Sequence, residues 1–262
     1  MKSINEFFKA KEENKKITVI STYDYWSAKL CEEAGIDAIL VGDSLSMVVQ
    51  GNDSTLPVSL DEMIYHTKAV RRGAPNTFII VDMPFLTYHT TVEEAVKNAG
   101  RVLKETGANA VKLEGGEQIA KAVERLTSLG IPVMGHLGLT PQFVNILGGY
   151  KVQGKSQDSR EKIKKDAKIL QEAGCFSIVL EAVPADLAKE ITESLKIPTI
   201  GIGAGKFTDG QVLVFHDLIG IFPKTPKFVK RYLEAGNLIK QALSQFKDEV
   251  LKEDFPSKEH EY

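Results

Sequence analysis

The sequence predicts an α/β protein: a single (β/α)8 barrel of the TIM type with an extra N-terminal helix and a C-terminal helical extension. Two observations lead to this prediction. Eight short, apolar, β-branched segments alternate with helical segments, an order typical of a parallel sheet. A glycine that ends a predicted helix also stands just before a strand at four junctions, at Gly35, Gly107, Gly130 and Gly174. This recurrence and the count of eight favour a closed barrel over an open, doubly wound sheet.

The length and composition fit one such domain over residues 1–262. Of the 262 residues, 43% are hydrophobic, which is enough for a large core. The 33 Lys and Arg nearly balance the 35 Asp and Glu, so the net charge of −2 gives no reason to expect a nucleic-acid or membrane partner. The N-terminus carries charges where a signal peptide would be apolar, and no apolar run approaches the roughly 20 residues of a membrane span. We therefore expect a cytoplasmic protein, in which Cys31 and Cys175 are buried free thiols.

The first half of the chain contains a helix and four predicted strands. Residues 1–16 hold a short charged helix over residues 5–14. Capping boxes at Ser59–Glu62 and Thr91–Glu94 open two of the helices that separate the strands. The predicted strands cover Ile17–Ser21, Ala38–Asp43, Phe78–Pro84 and Ala110–Gly116.

The second half continues the alternation up to a helical C-terminal region, residues 226–262. A long polar loop, Leu139–Asp158, interrupts it, and such loops are usually functional. We expect Pro226–Lys252 to be mostly helical, with a break near Gly236. The predicted strands cover Pro132–Gly138, Ser177–Val183, Pro198–Gly205 and Asp217–Phe222.

Polar side chains follow one another at the ends of the predicted strands. In a parallel barrel the carboxyl ends of the strands form the active face. Because alternate residues of a strand share a face, these side chains would point at one small volume inside the barrel mouth. They are Asp43, Ser44, Asp82, Lys112, Glu114, His136 and Glu181.

Three of these residues, Asp43, Asp82 and Glu114, are carboxylates that repel one another unless a cation neutralises them. Mg²⁺ suits such a set, because it takes oxygen ligands and keeps positions open for substrate. No His/Cys cluster indicates zinc. A substrate carbonyl at the open positions would let the metal act as a Lewis acid and stabilise an enolate. Glu181 would be the base for such chemistry, and Lys112 would meet a substrate carboxylate.

Structural roles are the alternative for several of these residues. Asp82 or Glu114 could each cap a following helix, and Lys112 could be a partner of Glu114 alone. His136 by itself is more typical of a hydrogen-bonded core residue. The glycine run Gly201–Gly205 could cradle a phosphate after the seventh strand, or it could serve close packing at the barrel rim.

Several long motifs in fixed order, covering nearly the whole chain, resemble the ketopantoate hydroxymethyltransferase family. The segment that carries Val41-Gly-Asp-Ser44 is the longest, and its one departure is Ser46, where glycine is familiar. The motifs are Val41–Pro57, Tyr65–Pro75, Val111–Gly116, Gly135–Gln142, Gly148–Gly154 and Ile200–Gly205.

The resemblance implies transfer of a one-carbon unit from 5,10-methylenetetrahydrofolate to 3-methyl-2-oxobutanoate, giving 2-dehydropantoate through a Mg²⁺-stabilised enolate in pantothenate biosynthesis. It implies one Mg²⁺ per subunit on Asp43 and Asp82, with Glu114 beside it directly or through water. A homo-oligomer, commonly a decamer, is also implied. The remaining implied roles are Glu181 as the base, and Ser44, Lys112 and His136, with Asp43 and Asp82, around the ketoacid.

Two other functions compete with this one. A Mg²⁺-dependent lyase of the isocitrate lyase and phosphoenolpyruvate mutase type would use a related barrel and a loop nucleophile such as cysteine. Neither Cys31 nor Cys175 stands at a strand end. A non-catalytic binding barrel would not need the ligands and the base together.

Overall fold

The computed structural model describes residues 1–262 and confirms the barrel. Eight parallel strands close in sequence order, from the first to the eighth. The strands are β1 Ile17–Ser21, β2 Ala38–Val41, β3 Phe78–Asp82, β4 Ala110–Glu114, β5 Val133–Gly138, β6 Ser177–Glu181, β7 Thr199–Ile202 and β8 Gly210–Val214.

Helices precede, separate and follow the strands. The expected N-terminal helix and both predicted helix starts are present: Ser59 forms a capping box with Glu62, and Thr91 accepts from the backbone N–H of Glu94. The helices are α1 Ile4–Glu12, α2 Tyr25–Glu33, α3 Leu45–Val48, α4 Leu60–Gly73, α5 Val92–Thr106, α6 Ala120–Ser128, α7 Val144–Leu147, α8 Gln157–Glu172, α9 Ala185–Ser194, α10 Phe215–Leu218 and α11 Ala235–Leu251.

The strand register sets which side chains meet at the carboxyl end of the barrel. Asp82 of β3 is level with Lys112 of β4, and Glu114 of β4 is level with His136 of β5. Glu181 of β6 pairs with Gly138 of β5. Because strands of a sheet lie only about 4.8 Å apart, side chains at one level on the inner face are neighbours.

The predicted position of the eighth strand is wrong. Asp217–Phe222 is apolar enough for a strand, but its first residues complete α10, and Gly220 follows with a φ of +68°. The strand lies earlier, at Gly210–Val214, with no helix between it and β7. The seven-residue connection can span about 23 Å, whereas β7 is about 13 Å long, so the chain can return along the barrel without a crossover helix.

The predicted helix from Pro226 is also wrong at its start. The helix, α11, begins at Ala235, and Gly236 lies in its first turn instead of breaking it. Residues 226–234 contain only a turn, closed by the Val229 N–H on the carbonyl of Pro226. Its large side chains, Phe228 and Tyr232, are exposed, so no buried face supports a helix there.

The chain divides into two compact units, Met1–Leu213 and Val214–Tyr262. The first unit contains the barrel, and the second contains α10, α11 and a short 3₁₀ turn, Lys258–His260. No helix is both long enough and apolar enough to cross a membrane.

An apolar cluster fills the amino-terminal end of the barrel. Phe7 of α1 packs edge-on against Phe78 and Phe176, with ring centroids 5.2 and 5.1 Å away. The first residues of several strands join this cluster, among them Ile17, Ala38, Phe78, Ala110. The N-terminal helix therefore closes this end of the barrel with side chains that carry no charge.

The glycine run Gly201–Gly205, which begins in β7 and continues just beyond it, serves close packing. A Cβ on Gly201 would lie 2.6 Å from Thr208 Oγ1, and one on Gly205 would overlap the Cβ of Ala185. Backbone and side chains therefore already occupy the space beside these two glycines.

Candidate active site

The structure brings six of the seven predicted polar residues together at the carboxyl end of the barrel, five of them buried and Glu181 partly exposed. Asp82, Glu114 and Glu181 are the last residues of β3, β4 and β6. Lys112 and His136 stand two residues before the ends of β4 and β5. The sixth, Asp43, follows β2, and its backbone N–H donates to Asp82 Oδ2 at 3.0 Å.

Lys112 lies between two of the carboxylates. Its Nζ is 2.7 Å from Asp82 Oδ1 and 3.7 Å from Glu114 Oε1, and the residue is 4% exposed. Burial lowers the pKa of Lys112, but the carboxylates of Asp82, Glu114 and Asp43 outweigh it and raise the pKa above its ordinary value. Lys112 is therefore a permanent positive charge in the site, with partners beyond Glu114 alone.

His136 connects the carboxylate cluster to Glu181. Its Nδ1 is 3.2 Å from Glu114 Oε1 and 3.1 Å from Lys112 Nζ, and its Nε2 is 3.2 Å from Glu181 Oε2. Burial and Lys112 lower the pKa of His136, but Glu114 and Glu181 outweigh them and raise it to about 9. His136 is thus buried, but it belongs to the charged group and not to the apolar core.

The site contains more acidic than basic side chains. Burial raises the pKa of Asp43 well above its usual range, and the neighbouring Asp82 and Glu114 raise it further. Burial likewise raises the pKa of Asp82. Burial also opposes ionisation of Glu114, but His136 and Lys112 outweigh it and lower the pKa of that carboxyl. Four acidic side chains, Glu181 included, thus face two basic ones, Lys112 and His136, and a bound cation would favour the ionised forms of Asp43 and Asp82.

Glu181 and Ser44 are partly exposed, unlike the residues of the cluster itself. The side chain of Glu181 is 16% exposed, whereas those of Glu114 and His136 are 1% and 3% exposed. Glu181 is therefore open to the solvent side. Ser44 Oγ is 2.7 Å from the hydroxyl of Tyr23.

Three residues of the site were missed by the sequence reasoning: Tyr23, Tyr88 and Gln142. Tyr23 stands two residues beyond β1, so the same strand-end rule indicates it. Tyr88 and Gln142 come from the connections that follow β3 and β5, and their hydroxyl and amide are 2.8 Å apart. Nothing in their spacing predicts that contact, because it depends on how two loops fold over the barrel.

Gly42 is a fourth missed residue, and its role is spatial. A Cβ at this position would lie 2.8 Å from Ser21 Oγ and 2.9 Å from Ser44 Oγ. Only glycine lets the backbone before Asp43 pass this close to the polar side chains.

The donor set fits Mg²⁺, although the carboxylates are not gathered around one point. No group of three His, Cys, Asp or Glu side chains in residues 1–262 is arranged to hold a metal ion. Lys112 Nζ takes up the space between Asp82 and Glu114. The available atoms are carboxylate oxygens, and Mg²⁺ is commonly held by one or two carboxylates. The ligand set Asp43, Asp82 and Glu114 stays a prediction.

Comparison with known proteins gives the family. A family model described as ketopantoate hydroxymethyltransferase matches residues 1–258. The 3-methyl-2-oxobutanoate hydroxymethyltransferase of Aquifex aeolicus (strain VF5) is 58% identical over 261 residues, covering 99% of this chain and 98% of that protein. The enzyme of the same name from Geobacillus sp. (strain WCH70) is 54% identical, covering 99% and 94%.

Solved structures with low sequence identity share the fold. A phosphonopyruvate hydrolase solved with oxalate and Mg²⁺ has a TM-score of 0.68 at 13% identity, covering 99% of this chain and 93% of that one. A 2,3-dimethylmalate lyase of the PEP mutase/isocitrate lyase superfamily has a TM-score of 0.61 at 15% identity, covering 100% and 92%. At these identities the likeness concerns the fold alone. By the family model and its close relatives, the chain belongs to the ketopantoate hydroxymethyltransferase family and is a transferase enzyme.

Proposed function

We propose that this enzyme transfers a hydroxymethyl group from 5,10-methylenetetrahydrofolate to 3-methyl-2-oxobutanoate, giving 2-dehydropantoate for pantothenate and coenzyme A biosynthesis. The observation that carries the proposal is the contact of Glu181 with His136, 3.2 Å apart, at the open side of the carboxylate cluster. Glu181 would act there as a base, beside the proposed cation site. Relatives at 54–58% identity that bear the name of this activity support it.

Asp43 and Asp82 would hold one Mg²⁺ per subunit. Glu114 would lie beside it, directly or through water; Gln142 N–H donates to its Oε2 at 3.0 Å, and His136 Nδ1 lies 3.2 Å from its Oε1. When bound, Mg²⁺ would polarise the keto group as a Lewis acid and make the proton on C3 more acidic.

The ketoacid would be held by Lys112 and Ser44. Lys112 is a buried, permanent positive charge, suited to the substrate carboxylate. The Ser44 hydroxyl, oriented by Tyr23 at 2.7 Å, would supply a directed hydrogen bond. Together they would orient C3 toward Glu181.

Glu181 would remove the proton from C3. The electron pair of that C–H bond moves into the C2–C3 bond and the keto oxygen becomes the enolate oxygen. His136, with Nε2 3.2 Å from Glu181 Oε2, would orient the carboxylate that accepts the proton. C3 then bonds to the folate-borne methylene as one of its two C–N bonds breaks. Water supplies the hydroxyl as the second C–N bond breaks, and the C3 proton and the second proton of water go to the two nitrogens of the departing tetrahydrofolate.

Deuterium exchange tests this proposal. The protein is incubated with 3-methyl-2-oxobutanoate and Mg²⁺ in D₂O, and deuteration at C3 is followed by NMR with and without the folate. We expect exchange without folate and hydroxymethylated product with it. Neither exchange nor product would overturn the assignment.

The lyase alternative lacks its nucleophile in this chain. Cys31 lies in α2 and Cys175 just before β6, 4% and 2% exposed. Burial raises the pKa of these thiols to about 11 and about 12, so neither is a reactive thiolate near neutral pH.

Two further parts of the proposal concern partners. The segment Leu139–Asp158 would form one wall of the folate site, since its Tyr150 hydroxyl lies 3.6 Å from Met47 Sδ, in the helix that follows Asp43. A homo-oligomer, with ten subunits expected from the family resemblance, would cover apolar side chains on α2 and α4. Tyr25, Trp26 and Tyr65 are at least half exposed there. Light scattering after size-exclusion chromatography measures the subunit number, and a monomer would contradict this part.

A further inference from the structure

The side chain of Gln142 makes three hydrogen bonds in the site, and the mechanism above does not use it. It lies in a short 3₁₀ turn, Pro141–Phe143, in the segment after β5 and is 4% exposed. Its Nε2 donates to Asp43 Oδ2 and to the carbonyl of Met83, both at 2.9 Å. Its backbone N–H donates to Glu114 Oε2 at 3.0 Å.

The orientation of the Gln142 amide follows from its partners. A carboxylate oxygen and a backbone carbonyl can only accept hydrogen bonds, so the NH₂ group must face Asp43 and Met83. The amide oxygen then faces Tyr88, whose hydroxyl donates to it at 2.8 Å. Every polar atom of the side chain is thus engaged, and its rotamer is fixed from three sides.

The hydrogen bonds of Gln142 also fix the orientation of the Asp43 carboxylate. Gln142 engages Oδ2 of Asp43, which leaves Oδ1 as the oxygen available to a ligand. The same residue holds Oε2 of Glu114 through its backbone, so one residue links the loops after β2, β3 and β5 to the end of β4. A neutral amide can do this without adding a positive charge that would compete with a divalent cation.

We propose that Gln142 is a positioning residue for the cation site: its amide and backbone N–H orient the carboxylates of Asp43 and Glu114. The inference rests on the proposed function, because it takes Asp43 as a Mg²⁺ ligand. Its effect is on Mg²⁺ affinity, since a carboxylate free to rotate must be ordered again when the cation binds.

The test is Mg²⁺ titration by calorimetry on three folded proteins: wild type, Gln142→Met and Gln118→Met. Methionine keeps the length of the side chain and removes the amide. Gln118 is an exposed glutamine at the same end of the barrel, whose amide oxygen accepts from the backbone of Gly116 and touches no carboxylate of the site. We expect Gln142→Met to raise the Mg²⁺ Kd by about 10- to 100-fold and Gln118→Met to leave it unchanged.

Thermal unfolding in EDTA separates this role from a merely structural one. In the Mg²⁺ titration, Tyr88→Phe removes the hydroxyl that holds the Gln142 amide oxygen. We expect this variant to raise the Mg²⁺ Kd by less than Gln142→Met does. A Gln142→Met protein that unfolds earlier in EDTA but binds Mg²⁺ like the wild type would overturn the inference. If the wild type itself bound no Mg²⁺, the proposed function would fail instead, so the two failures are distinguishable.

Discussion

The two ends of the barrel bury opposite kinds of side chain, apolar at one end and charged at the other. At the amino-terminal end, α1 places Phe7 against Phe78 and Phe176, and the cluster contains apolar side chains only. At the carboxyl end, Asp43, Asp82, Glu114, Lys112 and His136 are equally buried, each at most 4% exposed. Burying apolar surface stabilises the fold, whereas burying charge costs free energy unless each charge is paired. The difference indicates that stability and chemistry are separated along the barrel axis.

The largest expected effect is on chemistry at the carboxyl end. Glu181→Gln removes the proposed base but keeps the shape of the side chain, so C3 exchange in D₂O should slow by about 10²- to 10⁴-fold. Because the side chain is only partly buried, the melting temperature should stay within a few degrees of the wild type. Glu193→Gln, on the exposed face of α9, is the matched control. Full-rate exchange in Glu181→Gln would remove Glu181 from its role.

The next largest effect is on stability at the amino-terminal end. Phe7→Ala empties the centre of the aromatic cluster and should lower the free energy of unfolding by about 3–5 kcal/mol, measured by urea denaturation. Phe8→Ala, at the partly buried neighbouring position, should cost clearly less. Equal losses from the two variants would contradict the description of this end as a closed apolar cluster.

A smaller effect is expected from Asp43→Asn, a substitution of a buried residue that should raise stability, whereas most such substitutions lower it. A carboxyl whose pKa is raised on folding binds its proton more tightly in the folded state, so stability falls as pH rises from about 4 toward the folded pKa. At pH 7 in EDTA, wild-type Asp43 carries this cost and Asp43→Asn does not. We expect the variant to be more stable by about 0.5–2 kcal/mol and to lose the rise in melting temperature that Mg²⁺ gives the wild type. A less stable variant in EDTA would show that the carboxylate charges are already balanced.

The smallest effect concerns the two thiols, which lie outside the barrel interior. With pKa values of about 11 and about 12, roughly one molecule in 10³ and 10⁴ carries a thiolate at pH 8. Both should react slowly with a disulfide reagent in the folded protein, Cys175 more slowly than Cys31, and both fast in urea. A fast-reacting thiol in the folded enzyme would reopen the lyase alternative.

Much of the fold follows from the sequence because local signals agree with the global pattern. Capping boxes at Ser59 and Thr91 mark helix starts that the structure confirms. The predictions are wrong where the local sequence pattern favours one structure and tertiary packing favours another. Gly210–Val214 is a strand that contains a glycine and an exposed glutamine, whereas Asp217–Phe222 is apolar and yet forms no strand. Closure of the barrel, which no local pattern encodes, selects the first segment.

The sequence predicts those residues of the candidate site that lie at the ends of strands. Lys112 meets Asp82 and Glu114 meets His136 because the register of β3, β4 and β5 places them level. Gln142 was not predictable, since its contacts join loops after different strands. Nor could the sequence show that Lys112 Nζ lies between Asp82 and Glu114, because that depends on the rotamers of three long side chains.

The most direct test of this separation measures both properties on both variants. C3 exchange per folded molecule and the free energy of unfolding are determined for Glu181→Gln and Phe7→Ala under one set of conditions. We predict that Glu181→Gln loses at least 100-fold in exchange at nearly wild-type stability. Phe7→Ala should lose about 3–5 kcal/mol of stability and exchange at the wild-type rate while folded. If Phe7→Ala slowed exchange per folded molecule as much as Glu181→Gln, the two ends would not be independent and the account would be contradicted.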